Sequence, residues 1–388
     1  MALAWFESVD EVIRTLRPEE PVYCFDRGAL VDKARNFLTA FPGRVLYAVK
    51  CNPHPAILAT LWDAGLRDFD VASRAEIAEV ARRLPGAGLH FMHPVKSRGA
   101  IAEAVDGHGI RTFVVDHPDE FAKLTSRVPA RETLVLVRFA TADAHTSVYD
   151  LSSKFGCTVT DAAFLLREIA RAGLRPGLAF HVGSQCREPA AFARAIARAD
   201  SIATEAGIAP VVLDVGGGFP VAYAAPVPAL NAYVDAIQAA VAGSRALRAA
   251  ALWCEPGRGL VAECMSLLVQ VWLRRDDRLY LNDGIFGSLA EMFLSPLRMP
   301  IRRVGRDSTA PPAPFHLYGP TCDSVDQVPG TFDLPGDVRE GDWLEVLHLG
   351  AYAQVLASRF NGFHPARVVE IGNARRAHST VRATTAAR

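Results

Sequence analysis

The sequence predicts an α/β protein: a closed barrel of eight parallel strands with crossover helices, (β/α)8, carrying a mostly antiparallel C-terminal β domain. Three observations lead there. Between about residue 27 and residue 264, short β-branched or aromatic runs alternate with longer stretches of helical period. Eight such runs can be counted, which suits a closed barrel. After Cys264 the helical period stops, and strand-like runs follow one another between Gly, Pro and Asp. A chain of 388 residues accommodates both parts, at roughly 150 residues per domain with barrels running larger.

In chain order the barrel runs are VLYAVK ending at Lys50, DFDV near Asp70, LHFMH ending at His93, TFVVD ending at Asp116, TLVLVRF around Arg138, LAFHVG containing His181, VVLDVGGG ending at Gly218 and LWCEPGR containing Glu255. Helix signals stand between them. Ser73, with Glu76 three residues on, forms a capping box that opens SRAEIAEVARRL, and Gly86 follows its end. The later runs are SLLVQVWLRR, RLYLNDG, PFHLYGP, DWLEVLHLG and HPARVVEIG. PVYCFD near the start also has strand character and lies outside the barrel. The expected domains are therefore a barrel over residues 27–264 and a discontinuous β domain of residues 1–26 and 265–375, with a flexible tail at 376–388.

Half the residues are hydrophobic and 22% are charged, with 42 basic against 42 acidic side chains. That balance describes a globular chain and offers no electrostatic footprint for nucleic acid or an anionic membrane. Small molecules are the expected partners. Seven cysteines without a C-x-x-C pair suit a reducing cytoplasm better than a disulfide framework. The N-terminal MALAWFESVDEVIRTL lacks the basic start and apolar run of a signal peptide. The uncharged stretch 215–234 contains three glycines and Pro220, Pro226 and Pro228, so it reads as strand end plus loop and not as a membrane span.

In such barrels chemistry collects at the C-terminal ends of the strands. Lys50, Asp70, His93, Asp116, Arg138, His181, the Gly216–Gly218 triplet and Glu255 all fall there. Taken singly, each has a plain structural reading: a rim lysine snorkels, a strand-end histidine is hydrogen bonded, and Glu255 with Arg258 in EPGR is a rim ion pair. Taken together they form a set. A lysine at a protein-lined mouth can form an imine. The glycine triplet offers backbone N–H groups to a phosphate, although it fails as a dinucleotide fingerprint because residue 221 is Val. His90 and His93 fall on opposite faces of their strand, so no metal is expected. A lysine, a glycine nest with Arg258 and Ser184, a carboxylate and a flat imidazole match the needs of pyridoxal phosphate.

The strings YAVKCNPHP, FDVASRAEI, FHVGSQC, DVGGGFP, EPGR, NDGIFGS, GPTCDSVD, and LGAYA followed by FNGF run in order from residue 47 to residue 363. They resemble the fold-type III pyridoxal phosphate decarboxylases, the ornithine and diaminopimelate decarboxylase group, and most of all its ornithine decarboxylase-like bacterial members, whose barrel is of the alanine racemase type. The resemblance implies that Lys50 forms the Schiff base, that Glu255 pairs with the pyridine nitrogen and that His181 stacks on the ring. It places Ser184, Gly217, Gly218, Arg258 and Tyr352 at the phosphate, and Asp70 and Arg138 near the ring. Cys322 and Asp323 match a pair contributed from the partner subunit of a homodimer, the thiol at the α-carbon and the carboxylate at the distal amine of the substrate.

L-Ornithine, giving putrescine for polyamine synthesis, is the expected substrate. In the eukaryotic-type enzymes a second aspartate binds the side-chain amine, and Ser295 stands at that position here, within EMFLSPLRMPIRR. Arg298, Arg302 and Arg303 make this segment basic. They suit a modified diamino acid such as a citryl-diaminopropionate siderophore intermediate, or else form a solvated strand face. A racemase of the same barrel type and a non-catalytic regulator are the other classes the residues leave open. Cys322 argues against the first, and the complete set of Lys50, Glu255, Arg258 and Cys322 against the second.

Overall fold

The computed structural model describes residues 3–141, 154–363 and 366–372; the expected tail at 376–388 lies outside them. The chain divides into two compact units, residues 33–261 and residues 1–32 with 262–388.

The first unit is the closed barrel. Its parallel strands are Arg44–Ala48, Asp68–Val71, Gly88–Phe91, Thr112–Val115, Leu134–Arg138, Arg175–Ala179, Val212–Asp214 and Ala251–Cys254, the last pairing back onto the first. Side chains alternate across each strand, so every second residue faces the interior. Leu46, Met92, Val114, Leu134, Leu136, Ala179, Val212 and Trp253 form one buried cluster there. The valines, leucines and methionine among them each contribute about 1.5–3 kcal/mol on burial. Outside the strands, Phe192 stacks on Phe219 at 5.2 Å and meets Tyr233 edge-on, holding the helix Pro189–Ala206 against Leu230–Gly243. The helix Arg74–Arg83 begins where the capping signal stands: Ser73 Oγ accepts from the Glu76 N–H, and Glu76 accepts in turn from the Ala72 N–H.

The second unit is built on a nine-stranded, mostly antiparallel sheet. PVYCFD supplies the strand Val22–Asp26, which lies between Met265–Arg275 and Arg367–Ile371. The helix Val9–Leu16, capped by Ser8, buries Val9, Val12 and Ile13 against Val22, Cys24, Leu268, Val369 and Ile371. Two strands lie outside the strand-like runs counted after Cys264. Gln327–Pro335 contains Pro329 and Gly330, which punctuate a strand, yet it lies at the sheet's edge, where a missing N–H costs no ladder bond. Ile301–Val304 carries two arginines and pairs on one side only, with Trp343–Val346.

Candidate active site

The interior alternation of the barrel sets the chemistry. Two residues beyond Val114, Leu136, Ala179, Val212 and Trp253 come Asp116, Arg138, His181, Asp214 and Glu255. Asp70 joins this set, because it lies beside Ala48 in the register and Ala48 shares a face with Leu46. The same periodicity that fills the core with apolar groups therefore ends, at the mouth, in a ring of charge.

Lys50 follows the first strand in a single helical turn, Val49–Cys51. Its Nζ lies 2.9 Å from Asp70 Oδ2, with Asp70 almost fully buried and the lysine half exposed. Two contacts seat this turn. The Ala48 N–H donates to the Pro256 carbonyl, and Gly257 lies so close to Cys51 that an added Cβ would come within 3.0 Å of the cysteine Cβ. The EPGR motif thus packs directly on the lysine's turn.

The glycine triplet is shaped by contact on both sides. Gly216 and Gly218 have positive φ, +68° and +99°, which only glycine adopts without strain. A Cβ on Gly217 would meet the Glu255 carbonyl at 2.7 Å and His181 Nε2 at 3.0 Å. The neighbouring loop is laced to it: Gln185 accepts from the Val221 N–H and donates to the Val221 carbonyl, while the Cys186 N–H donates to the Gly218 carbonyl. Arg258, buried, donates through Nε to Ser184 Oγ at 3.2 Å and through a terminal nitrogen to the Tyr223 hydroxyl at 2.9 Å.

His181 Nδ1 accepts the Gly183 N–H at 3.0 Å, which assigns any ring proton to Nε2. Burial first, then the charges of Arg138 and Lys50, push its pKa well below the usual imidazole range. A neutral flat ring results. Glu255 shifts the other way, pushed well up by burial and by the Asp214 and Asp70 carboxyls.

The second unit holds the remaining expected residues. Cys322 is exposed, and its N–H donates to Asn361 Oδ1 at 3.1 Å. Asp323 accepts from the Val325 N–H. Asp326 ties this loop to NDGIFGS by accepting from the Thr321 N–H and hydroxyl and from the Ile285 N–H. Tyr352 stands at φ +61° ahead of the turn Ala353–Leu356. Ser295 is buried; its hydroxyl donates to the Glu291 carbonyl and accepts from the Leu297 N–H.

The barrel brings Lys50, Asp70, Arg138, His181, Ser184, Gly217, Gly218, Glu255 and Arg258 to the C-terminal ends of its strands. Ser295, Cys322, Asp323 and Tyr352 belong to the other unit. Two site residues escaped the sequence reading. Asp214 could have been found by counting alternate residues through VVLDVGGG; Tyr223 gave no signal, because Arg258 is distant in sequence.

A closed barrel with a lysine after its first strand, a glycine cradle after its seventh and a half-buried carboxyl after its eighth defines a pyridoxal-binding class of enzyme. The family model described as "Pyridoxal-dependent decarboxylase, pyridoxal binding domain" matches residues 27–262. This chain belongs to that family and is a pyridoxal phosphate-dependent amino-acid decarboxylase. It is 34% identical over 336 residues to the lysine/ornithine decarboxylase of Selenomonas ruminantium, covering 84% of this chain and 82% of the relative. It is 35% identical over 345 residues to the ornithine decarboxylase of Panagrellus redivivus, covering 82% and 77%. Among solved structures it resembles the Paramecium bursaria Chlorella virus arginine decarboxylase bound to agmatine, with a TM-score of 0.84 and 27% identity over 93% of this chain and 98% of that one.

The residues present fit the cofactor. The Gly217 cradle leaves no room for a side chain, and Arg258 with Ser184 supplies phosphate donors beside it. Asp70 Oδ1 and Asp214 Oδ2 are buried without a hydrogen-bond partner among the described residues, as expected where a polar group is to be bound.

Proposed function

We propose that this chain removes the α-carboxyl group of a basic L-amino acid, with L-ornithine as the substrate and putrescine as the product, for polyamine synthesis in the cytoplasm. The reading rests on the pairing of the arginines that made the segment after NDGIFGS look basic. Arg302 lies 2.6 Å from the buried Glu345, and Arg303 lies 2.8 Å from Asp337 and 3.7 Å from Asp342 with its side chain 2% exposed. Two of the three charges are thus neutralised within the sheet, while Arg298, which donates to the Leu297 carbonyl, has no carboxylate partner among the described residues. Asp323, beside Cys322, is the anion offered to a distal amine.

When bound, pyridoxal phosphate supplies an electron sink for the pair of electrons left as carbon dioxide departs. Lys50 would carry the cofactor, and Asp70 Oδ2 holds its Nζ and can take its proton. Arg258, Ser184, Gly217, Gly218 and Tyr352 would hold the phosphate, and Arg138 would lie near the ring. His181 would cover one ring face; with Nδ1 engaged by the Gly183 N–H it offers no free base there to favour racemisation. Glu255 would pair with the ring nitrogen. Cys322 Sγ would give a proton to the α-carbon after carboxylate loss. Its exposure, with that of Phe293, Leu294, Val355, Leu356 and Phe360 in the same unit, supports a homodimer in which Cys322 and Asp323 act on the partner's barrel.

Ser295 favours one other reading. Its hydroxyl is engaged with backbone, so no acid stands at that position, and a modified diamino acid such as citryl-diaminopropionate would not need one. Mass spectrometry of amine products after incubation with pyridoxal phosphate and ornithine, lysine, diaminobutyrate, arginine or citryl-diaminopropionate separates the two. Putrescine is expected as the dominant product. Product from the modified amino acid alone would remove ornithine as the substrate.

A further inference from the structure

We infer that Asp214 is a positioning residue of the site: its carboxylate, fixed on the Gly216 N–H, makes the neighbouring Glu255 hold a proton at neutral pH before any cofactor binds. Three observations place the two groups for this. Asp214 is fully buried, and its Oδ1 accepts the Gly216 N–H at 2.8 Å. Its Oδ2 has no hydrogen-bond partner among the described residues. The seventh and eighth strands run side by side, with Asp214 opposite Trp253 and the Glu255 N–H donating to the Gly216 carbonyl at 2.8 Å. Asp214 and Glu255 therefore follow one another on the same inner face of adjacent strands.

Charge then decides where the proton sits. Facing the pair are Lys50 and Arg138 as cations, Asp70 as a third carboxylate, and neutral His181. The Cys254 thiol, on the opposite face of the eighth strand from Trp253, is itself pushed up by burial and by both carboxyls. With Asp116, which also acts on Arg138, four carboxylates of the ring stand against two cations, and a proton on one of them reduces the excess negative charge. A backbone N–H donor favours the ionised form, and Asp214 has one, whereas no donor among the described residues reaches the Glu255 carboxyl. The electrostatics agree in direction: burial pushes Asp214 up to about 7, and burial with the Asp214 charge pushes Glu255 well up.

The proton comes from solvent, and no electrons move. Its consequence rests on the role of Glu255 proposed above: the chain presents an acid, already protonated, to the cofactor's ring nitrogen. The test needs no turnover. Infrared difference spectra of the full chain, stripped of cofactor and titrated with pH, should show a buried protonated-carboxyl band that persists through neutrality and is lost in Glu255→Gln. In Asp214→Asn the midpoint of that band should fall by about one pH unit or more. No such band in the wild type at neutral pH, its survival in Glu255→Gln, or an unmoved midpoint in Asp214→Asn would overturn the inference. If Asp214→Asn fails to fold by circular dichroism, Asp214→Ser, whose hydroxyl can still accept the Gly216 N–H, supplies the same comparison of midpoints, and an unmoved midpoint there overturns the inference equally. Failure of the decarboxylation assay would leave these spectra unaffected.

Discussion

At the residue scale, the charge ring shows how one periodicity serves both core and chemistry. Leu136 and Arg138, or Ala179 and His181, lie two apart on the same inner face, the first buried among apolar neighbours and the second at the mouth. Because strand alternation is visible in sequence, Lys50, Asp70, Arg138, His181 and Glu255 could all be placed before any coordinates existed. Asp214 is masked in the sequence by the glycines after it, which point to phosphate, and its burial is a property of the closed barrel. Lys50→Ala should abolish turnover and the absorbance of bound pyridoxal phosphate while circular dichroism and elution volume stay those of the wild type. Turnover comparable to wild type would remove Lys50 as the cofactor's anchor.

Elements depend on contacts that sequence does not announce. Lys96 shows this most clearly. Its ammonium, fully buried, lies 3.0 Å from Glu120 and donates to the carbonyls of His93, Pro94 and Val114, while its own N–H donates to Glu120. One lysine thereby latches the loop after the third barrel strand to the end of the fourth and to the helix Pro118–Thr125. Burial lowers its pKa to about 8, with Glu120 opposing. Lys96→Ala leaves three carbonyls without their donor and the buried Glu120 with Lys123 and the residue 96 N–H, and should cost about 3 kcal/mol. Chemical denaturation measures this, and a loss near zero would show that the latch does not hold the loop. Nothing in HPVKS signals the partner, since Glu120 enters from the next βα unit. The edge strand Gln327–Pro335 was equally hidden, because its prolines are tolerable only for a strand without a second neighbour.

For the whole molecule, the proposed sharing of sites makes a distinct demand. If Lys50 of one subunit works with Cys322 of the other, Lys50→Ala and Cys322→Ala should each be inactive or nearly so as pure proteins. Mixed and allowed to exchange subunits, they should regain activity in the heterodimer, which carries one intact site. Mixtures no more active than their components, despite heterodimers seen by native mass spectrometry, would place both residues in the same subunit's site. The nine-stranded sheet raises a different matter. Among the described residues its outer strands are the two-residue Trp5–Phe6, Ile301–Val304 with Arg302 and Arg303, and Gln327–Pro335 with Pro329 and Gly330. The first is too short to template a neighbour, the second is four residues long with its arginines already tied to Glu345, Asp337 and Asp342, and the third interrupts its row of backbone donors at Pro329. These edges oppose the stacking of copies strand upon strand into fibres.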